Sequence, residues 1–138
     1  MLHLSSLTEV KEVLRMAKSI SVVGFSPKKN RPSNVVGCYL IQTGFRVFPV
    51  NPGHSVICGV KCYPDLASIG EPVDVVNIFR RSEEVLPVIK DAIAIGAKAV
   101  WMQQGIVNDE AAELARKAGL LVVMDRCLQV DHMQFGVE

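Results

Sequence analysis

The sequence predicts an α/β fold, a doubly wound and mostly parallel sheet with helices on both faces. Three observations lead there. Short strand-like apolar runs alternate along the chain with segments whose apolar residues recur at helical spacing, and such alternation calls for a parallel sheet covered on both sides. The first run, built on Ile20, Val22 and Val23, has the β-branched composition of a central parallel strand. It ends at Gly24 and passes through a basic turn into Pro32-Ser33, the pattern of a strand feeding a helix N-terminus.

Leu7, Val10, Val13, Leu14 and Ala17 share one helical face, and Ser6-Leu-Thr-Glu9 has the form of a capping box, so a helix is expected over about 7–18. The strand at 19–24 follows. A helix over 32–43 comes next, with Val36, Leu40 and Thr43 on one face and Gly44 placed for a left-handed cap. Residues 45–50 form the second strand, which Pro49 restricts to an edge or a strand end. Asn51-Pro52-Gly53 is a turn, residues 56–63 a minor third strand, and 64–68 one helical turn. The fourth strand is 73–79. The helix after it turns Val85, Val88, Ile89, Ala92 and Ile93 inward. It tolerates Pro87 only by starting near Leu86 or by opening with a looser turn at Ser82-Glu83-Glu84. Residues 99–102 are the fifth strand, with Gln103-Gln104-Gly105 as exit loop. Asn108 caps a helix carrying Asp109 and Glu110 first and Arg116 and Lys117 last, as the macrodipole favours. The sixth strand is 120–124, and the tail from Asp125 has no clear period.

With right-handed crossovers these strands take the Rossmann-like order 3-2-1-4-5-6. Chain direction then reverses between the first and fourth strands. A crevice opens at their carboxyl ends, lined by 24–33 on one side and 79–82 on the other, with Gln103 on the next strand over.

The 138 residues are read as one domain, 1–138, with the helix at 1–18 packed on it. A net charge of +1 gives no reason to expect nucleic acid or an acidic membrane as partner. No apolar run approaches the roughly 20 residues of a membrane span, and the N-terminus does not read as a signal peptide. Four cysteines in a chain with an ample core do not imply a disulfide scaffold, so the cytoplasm is the expected location.

The loop after the first strand carries the functional signal. A helix N-terminus presents unpaired N–H groups and partial positive charge to whatever precedes it, and Lys28, Lys29 and Arg31 add three cations in the same turn. A merely solvated turn has the same composition, but this one sits at the switch point, which points to a phosphate-bearing ligand at 24–34. The loop is not an NAD fingerprint. One glycine stands where three are needed, and the second strand ends on Asn51 rather than the acid that holds a ribose diol. No Walker loop occurs. NADP or coenzyme A, each with a phosphomonoester beside its diphosphate, suits the extra charge better.

The motifs GFSPKKNRPSN, FPVNP, PVDVVNIFRR, AVWMQQGI and AGLLVVMDRC resemble, in the same order and over about residues 19–127, the small stand-alone CoA-binding proteins. Those are similar to the N-terminal CoA-binding domain of the succinyl-CoA synthetase alpha subunit. The resemblance implies non-catalytic binding of coenzyme A or an acyl-CoA. It places Gly24, Phe25, Ser26, Lys28, Arg31, Pro32 and Ser33 around the adenosine and phosphates. Val50, Asn51 and Pro52 would flank the nucleotide, and Phe79, Arg80 and Arg81 would close it from the other side. Met102, Gln103 and Gly105 would border the pantetheine path. The phosphohistidine domain of the synthetase has no counterpart among these residues, so its ligase reaction is not implied.

Other chemistry is thinly represented. His3, His54 and His132 are scattered, with no nucleophile–base pattern around them. Cys58 and Cys62 lack a second ligand pair, so no metal site is expected. Cys38 reads as core and Trp101 as packing. Cys127 adjoins Arg126, a cation that favours thiolate. Two alternatives follow: a small NADP-dependent oxidoreductase, though no Tyr-x-x-x-Lys pair is present, and a CoA-linked redox module using Cys127. No particular protein partner is implied.

Overall fold

The computed structural model describes residues 6–136, so His3 lies outside the described residues. In chain order the strands are β1 (Ser19–Val23), β2 (Arg46–Val50), the two-residue β3 (Val56–Ile57) and β4 (Val60–Lys61), β5 (Val75–Ile78), β6 (Ala99–Met102) and β7 (Leu121–Met124). The helices are α1 (Leu7–Met16), α2 (Pro32–Gln42), α3 (Val85–Ala94), α4 (Asp109–Lys117) and α5 (Leu128–Phe135). Five strands pair in parallel in the order β2-β1-β5-β6-β7.

The period-two alternation of buried strands divides the core into two layers. Ile20, Val22, Val75, Ala99, Trp101 and Val123 face α1, α2 and α5, packing with Val10, Val13, Val36, Leu40 and Leu128. Val23, Val76, Ile78, Val100, Met102, Val122 and Met124 face α3 and α4, packing with Val85, Ile89, Ala92, Ala111, Ala112 and Ala115. Helices therefore cover both faces, as expected. Pro49 sits on edge strand β2 with its carbonyl turned outward to Tyr63 N–H at 2.9 Å. Its missing donor faces away from β1, which is why the strand tolerates it.

The expected six-strand order is corrected at that edge. Residues 56–63 add no third strand to the sheet; β3 and β4 fold back on each other as an antiparallel hairpin. The reason is the turn: Cys58 and Gly59 have φ of 53° and 80°, a two-residue reversal that ends each arm after two residues. A parallel bridge, Val50 to Tyr63, ties it to β2, and the buried Ile57 and Cys62 pack it against the core. Cys38 packs half-buried against the core, as read, but it is also bonded to Cys58 in a disulfide that the reading did not include. Local spacing gave no sign of it, since the partners meet only when the hairpin lies against α2.

Two helices start irregularly. Ser6 Oγ accepts Glu9 N–H at 3.1 Å, but Glu9 does not complete a capping box. Its carboxylate reaches across to Val122 N–H at 3.0 Å and to Arg116 at 3.6 Å, tying α1 to β7 and α4. Ser82–Glu84 forms a 3₁₀ turn ahead of α3, the looser opening that leaves Pro87 within the first helical turn. The patternless tail is α5, whose buried residues are Leu128 and Asp131.

Candidate functional site

Gly24 sets the geometry at the end of β1. Its N–H donates to Val50 O at 2.9 Å and its φ is +89°. A Cβ there would stand 2.3 Å from the Phe79 carbonyl oxygen, so only glycine lets the ends of β1 and β5 come this close. Phe25 then turns inward. Its side chain is fully buried and lies where a Cβ on Gly37 would be 2.2 Å from its ring, so α2 rests on that ring.

Residues 26–34 are tied to the start of α2. Ser33 Oγ accepts Ser26 N–H at 2.9 Å, and Ser26 Oγ accepts Lys28 N–H at 3.1 Å. Asn34 Nδ2 donates to Ser26 O at 2.8 Å. Asn51 Nδ2 fixes the Phe25 carbonyl from the β2 side at 2.8 Å. Pro32 takes the first helical position without an N–H, Asn34 N–H donates to Arg31 O at 3.0 Å, and no side chain caps α2, so the Ser33 N–H and the positive end of the helix are what that start offers a ligand.

A cleft of about 670 Å³ lies here, within the range of small-molecule sites. One wall is Gly24, Ser26, Lys28, Arg31, Pro32 and Ser33. The facing wall is Phe79, Arg80, Arg81, Ser82 and Glu83, and the third is Gln104, Gly105 and Ile106. Four cations thus line one cleft with one carboxylate, Glu83, and one of them, Arg81, also donates through Nη2 to Glu84 Oε2 at 3.0 Å just outside it. The far walls are braced from behind. Ser82 Oγ accepts Val107 N–H at 3.0 Å, its carbonyl accepts Asn108 Nδ2 at 2.8 Å, and Asp125 Oδ1 accepts Gly105 N–H at 2.7 Å.

Ten of the sixteen sequence-predicted binding residues line this cleft: Gly24, Ser26, Lys28, Arg31, Pro32, Ser33, Phe79, Arg80, Arg81 and Gly105. Phe25, Val50, Met102 and Gln103 are buried instead. Gln103 Oε1 accepts Asn77 Nδ2 at 3.3 Å and Leu128 N–H at 3.4 Å, so its amide joins β5, β6 and α5 beneath the crevice. Asn51 is half-buried and Pro52 exposed just past β2, and neither lines the cleft. Sequence reasoning did not single out Glu83, Gln104 or Ile106. They become wall residues only through the 3₁₀ turn after Arg81 and the turn at Gly105, whose φ is +88°.

The remaining candidates lie elsewhere. Cys127 is the N-terminal flanking residue of α5 and is not in the cleft wall. Its neighbouring cation is engaged: Arg126 Nε donates to Asp131 Oδ2 at 2.6 Å and Nη2 to Oδ1 at 3.0 Å. His132 Nδ1 lies 2.6 Å from Tyr39 Oη, away from the cleft. Among the described residues no group of three or more His, Cys, Asp and Glu is placed to hold a metal ion, and no helix is long and apolar enough to cross a membrane.

A glycine-pinned strand end, an uncapped helix start and a ring of cations at the switch point define a nucleotide-type binding domain. The sequence profile of the family described as "CoA binding domain" matches residues 18–133, and the chain belongs to that family. The uncharacterized protein YneT of Bacillus subtilis is 39% identical over 127 residues, covering 92% of this chain and 94% of that protein. The solved structure of a hypothetical protein from Pyrococcus horikoshii OT3 matches with a TM-score of 0.90 at 37% identity, over 95% of this chain and 92% of that one. The ADP-forming acetate–CoA ligase I of Archaeoglobus fulgidus is 27% identical over 127 residues, which is 85% of this chain but 18% of the ligase.

Proposed function

We propose that this protein binds coenzyme A, free or acylated, in the cleft at the mouth of its parallel sheet and carries out no reaction on it. The observation that supports this most is that Lys28, Arg31, Arg80 and Arg81 all line the cleft at which α2 begins. Coenzyme A carries a diphosphate and a separate phosphomonoester, and a site with four cations and an oriented helix start has a partner for each. The diphosphate lies at Ser33 and the first turn of α2, with Lys28 and Arg31 over the phosphates. Phe79 and Ile106 offer apolar surface to the adenine, and the pantetheine passes Gln104 and Gly105. Phe25, Val50, Asn51, Met102 and Gln103 support these walls from behind, and Pro52 flanks the nucleotide at the rim. Neither histidine nor cysteine is among the lining residues. The hydroxyls of Ser26, Ser33 and Ser82 each accept a main-chain N–H, which gives them a structural task.

Calorimetry of the ligand-stripped protein with coenzyme A, dephospho-CoA, NADPH and ATP tests the reading. Binding of coenzyme A in clear preference to dephospho-CoA is expected, because dephospho-CoA lacks the phosphomonoester that the basic residues would hold. Tight NADPH binding with none for coenzyme A would replace the proposal with the oxidoreductase alternative.

A further inference from the structure

The disulfide joins Cys38, in the middle of α2, to Cys58 at the tip of the β3–β4 hairpin. The core does not need it. Two apolar layers already close on both faces of the sheet, and scaffold disulfides belong chiefly to chains too small for that. Cys58 also conflicts with its own backbone. It holds the first position of a turn with both φ values positive, where asparagine or glycine is favoured. A cysteine placed against that preference indicates that its sulfur has a use.

Both ends of the bond lead to one stretch of main chain. Cys38 Sγ lies 3.5 Å from Asn34 Oδ1, and Asn34 Nδ2 donates to Ser26 O at 2.8 Å. From the hairpin side, Cys62 Sγ donates to Asn51 O at 3.5 Å, and Asn51 N–H donates to Tyr63 O at 2.9 Å. Asn51 Nδ2 in turn holds Phe25 O at 2.8 Å. Two amide side chains thus grip consecutive carbonyls at the cleft wall, one from α2 and one from the strand beside the hairpin. The disulfide joins the two holders. We propose that Cys38 and Cys58 form a reversible redox clamp: the bonded form keeps residues 25–34 in their ligand-ready arrangement, and the dithiol form releases the hairpin and loosens that loop. The effect on ligand affinity rests on the CoA-binding reading; the effect on loop order does not.

Cys58 is exposed and Cys38 half-buried, so an incoming thiolate reaches Cys58. Reduction by a small dithiol begins with attack on the Cys58 sulfur. The Cys38–Cys58 bond breaks, Cys38 leaves as thiolate and takes up a proton. The second thiol of the reductant then displaces Cys58 as thiolate, which is protonated in turn. The dithiol ends as a cyclic disulfide, having given two electrons to the protein. Oxidation runs the same exchange backwards, the oxidant being a low-molecular-weight disulfide. Burial pushes the Cys62 thiol up, although main-chain hydrogen bonds with Asn51 and Tyr63 oppose the shift. This keeps it protonated and out of the exchange.

The test uses the full chain in buffers of oxidised and reduced dithiothreitol, without ligand and then with acetyl-CoA, a probe that has no free thiol. Amide hydrogen exchange across residues 25–34 and 55–62 should speed up about tenfold on reduction while β5 and β6 stay protected. Acetyl-CoA affinity by calorimetry should fall about fivefold. Cys58→Ser should behave as the reduced protein in both buffers, and Cys127→Ser should respond as the wild type does. Equal exchange in the two buffers overturns the clamp. Changed exchange with unchanged, measurable acetyl-CoA affinity overturns its link to the ligand. If exchange responds but neither form binds acetyl-CoA, the clamp stands and the CoA-binding reading falls.

Discussion

Gly24 has less freedom to change than any other cleft residue, because two constraints meet in it. Its backbone is left-handed, and a Cβ would run into the Phe79 carbonyl oxygen at 2.3 Å. A side chain costs about 1–2 kcal/mol for the conformation alone, and the clash forces β1 and β5 apart in addition. Gly24→Ala should therefore lose more than about 2 kcal/mol in denaturant unfolding, and coenzyme A binding with it. A variant as stable as the wild type would show that the strand ends yield freely. Lys28 and Arg31 are exposed, so each phosphate pairing is worth only about 1 kcal/mol. Lys28→Ala with Arg31→Ala should weaken coenzyme A binding roughly thirtyfold and flatten its salt dependence, as read by calorimetry at two ionic strengths. Unchanged affinity would return both residues to the solvent. Their place in the cleft wall was legible because charge, glycine and proline sit together in one short stretch. Phe25 was not. Whether an aromatic after such a glycine faces ligand or core depends on the space that Gly37 leaves under α2, and no local pattern displays that.

Elements brace the cleft from outside it. Asn108 is the clearest case: Oδ1 caps α4 through Ala111 N–H at 2.9 Å, and Nδ2 holds the Ser82 carbonyl at 2.8 Å. One side chain fixes both a helix start and the wall opposite the basic loop. Asn108→Ala should cost about 1 kcal/mol of stability for the lost cap and also raise the dissociation constant for coenzyme A; Asn108→Ser should recover the first loss and not the second. If both variants bind as the wild type does, the wall holds without this bond. The cap itself was readable, since Asn followed by Asp and Glu is a start signal. Its second hydrogen bond was not, because Ser82 is distant in sequence. The same limit hid the Cys38–Cys58 pairing and the hairpin, whereas α5 was obscure because Leu128 and Asp131 alone are its buried residues, which leaves no apolar stripe to read.

At the scale of the molecule, alternation of strand and helix was enough to give the two-faced parallel sheet and the place of its crevice. The edge strand was overcounted because composition does not show where a hairpin turns back. One acid-sensitive tie spans the end of the sheet opposite the cleft. Asp74 is nearly buried, which by itself would raise its pKa. Hydrogen bonds from Lys18 and Ser19 N–H and the Lys98 ammonium at 3.5 Å offset that and hold the carboxyl below its ordinary 3.8. A carboxyl whose pKa is lower in the folded state stabilises the fold fully above the unfolded value, and that contribution is lost as pH falls from 3.8 through the lower folded value. Urea unfolding should show stability dropping below about pH 4, and Asp74→Asn should be less stable at pH 7 with a shallower drop. Equal acid slopes in the two proteins would remove Asp74 from the account.

The position of bound coenzyme A in a crystal of the complex addresses the central claim directly. The diphosphate should lie against Ser33 and the opening turn of α2, within hydrogen-bond reach of Lys28 or Arg31, with the pantetheine leading past Gly105. Coenzyme A bound away from residues 24–33 and 79–83, or an empty cleft at saturating ligand, would contradict it.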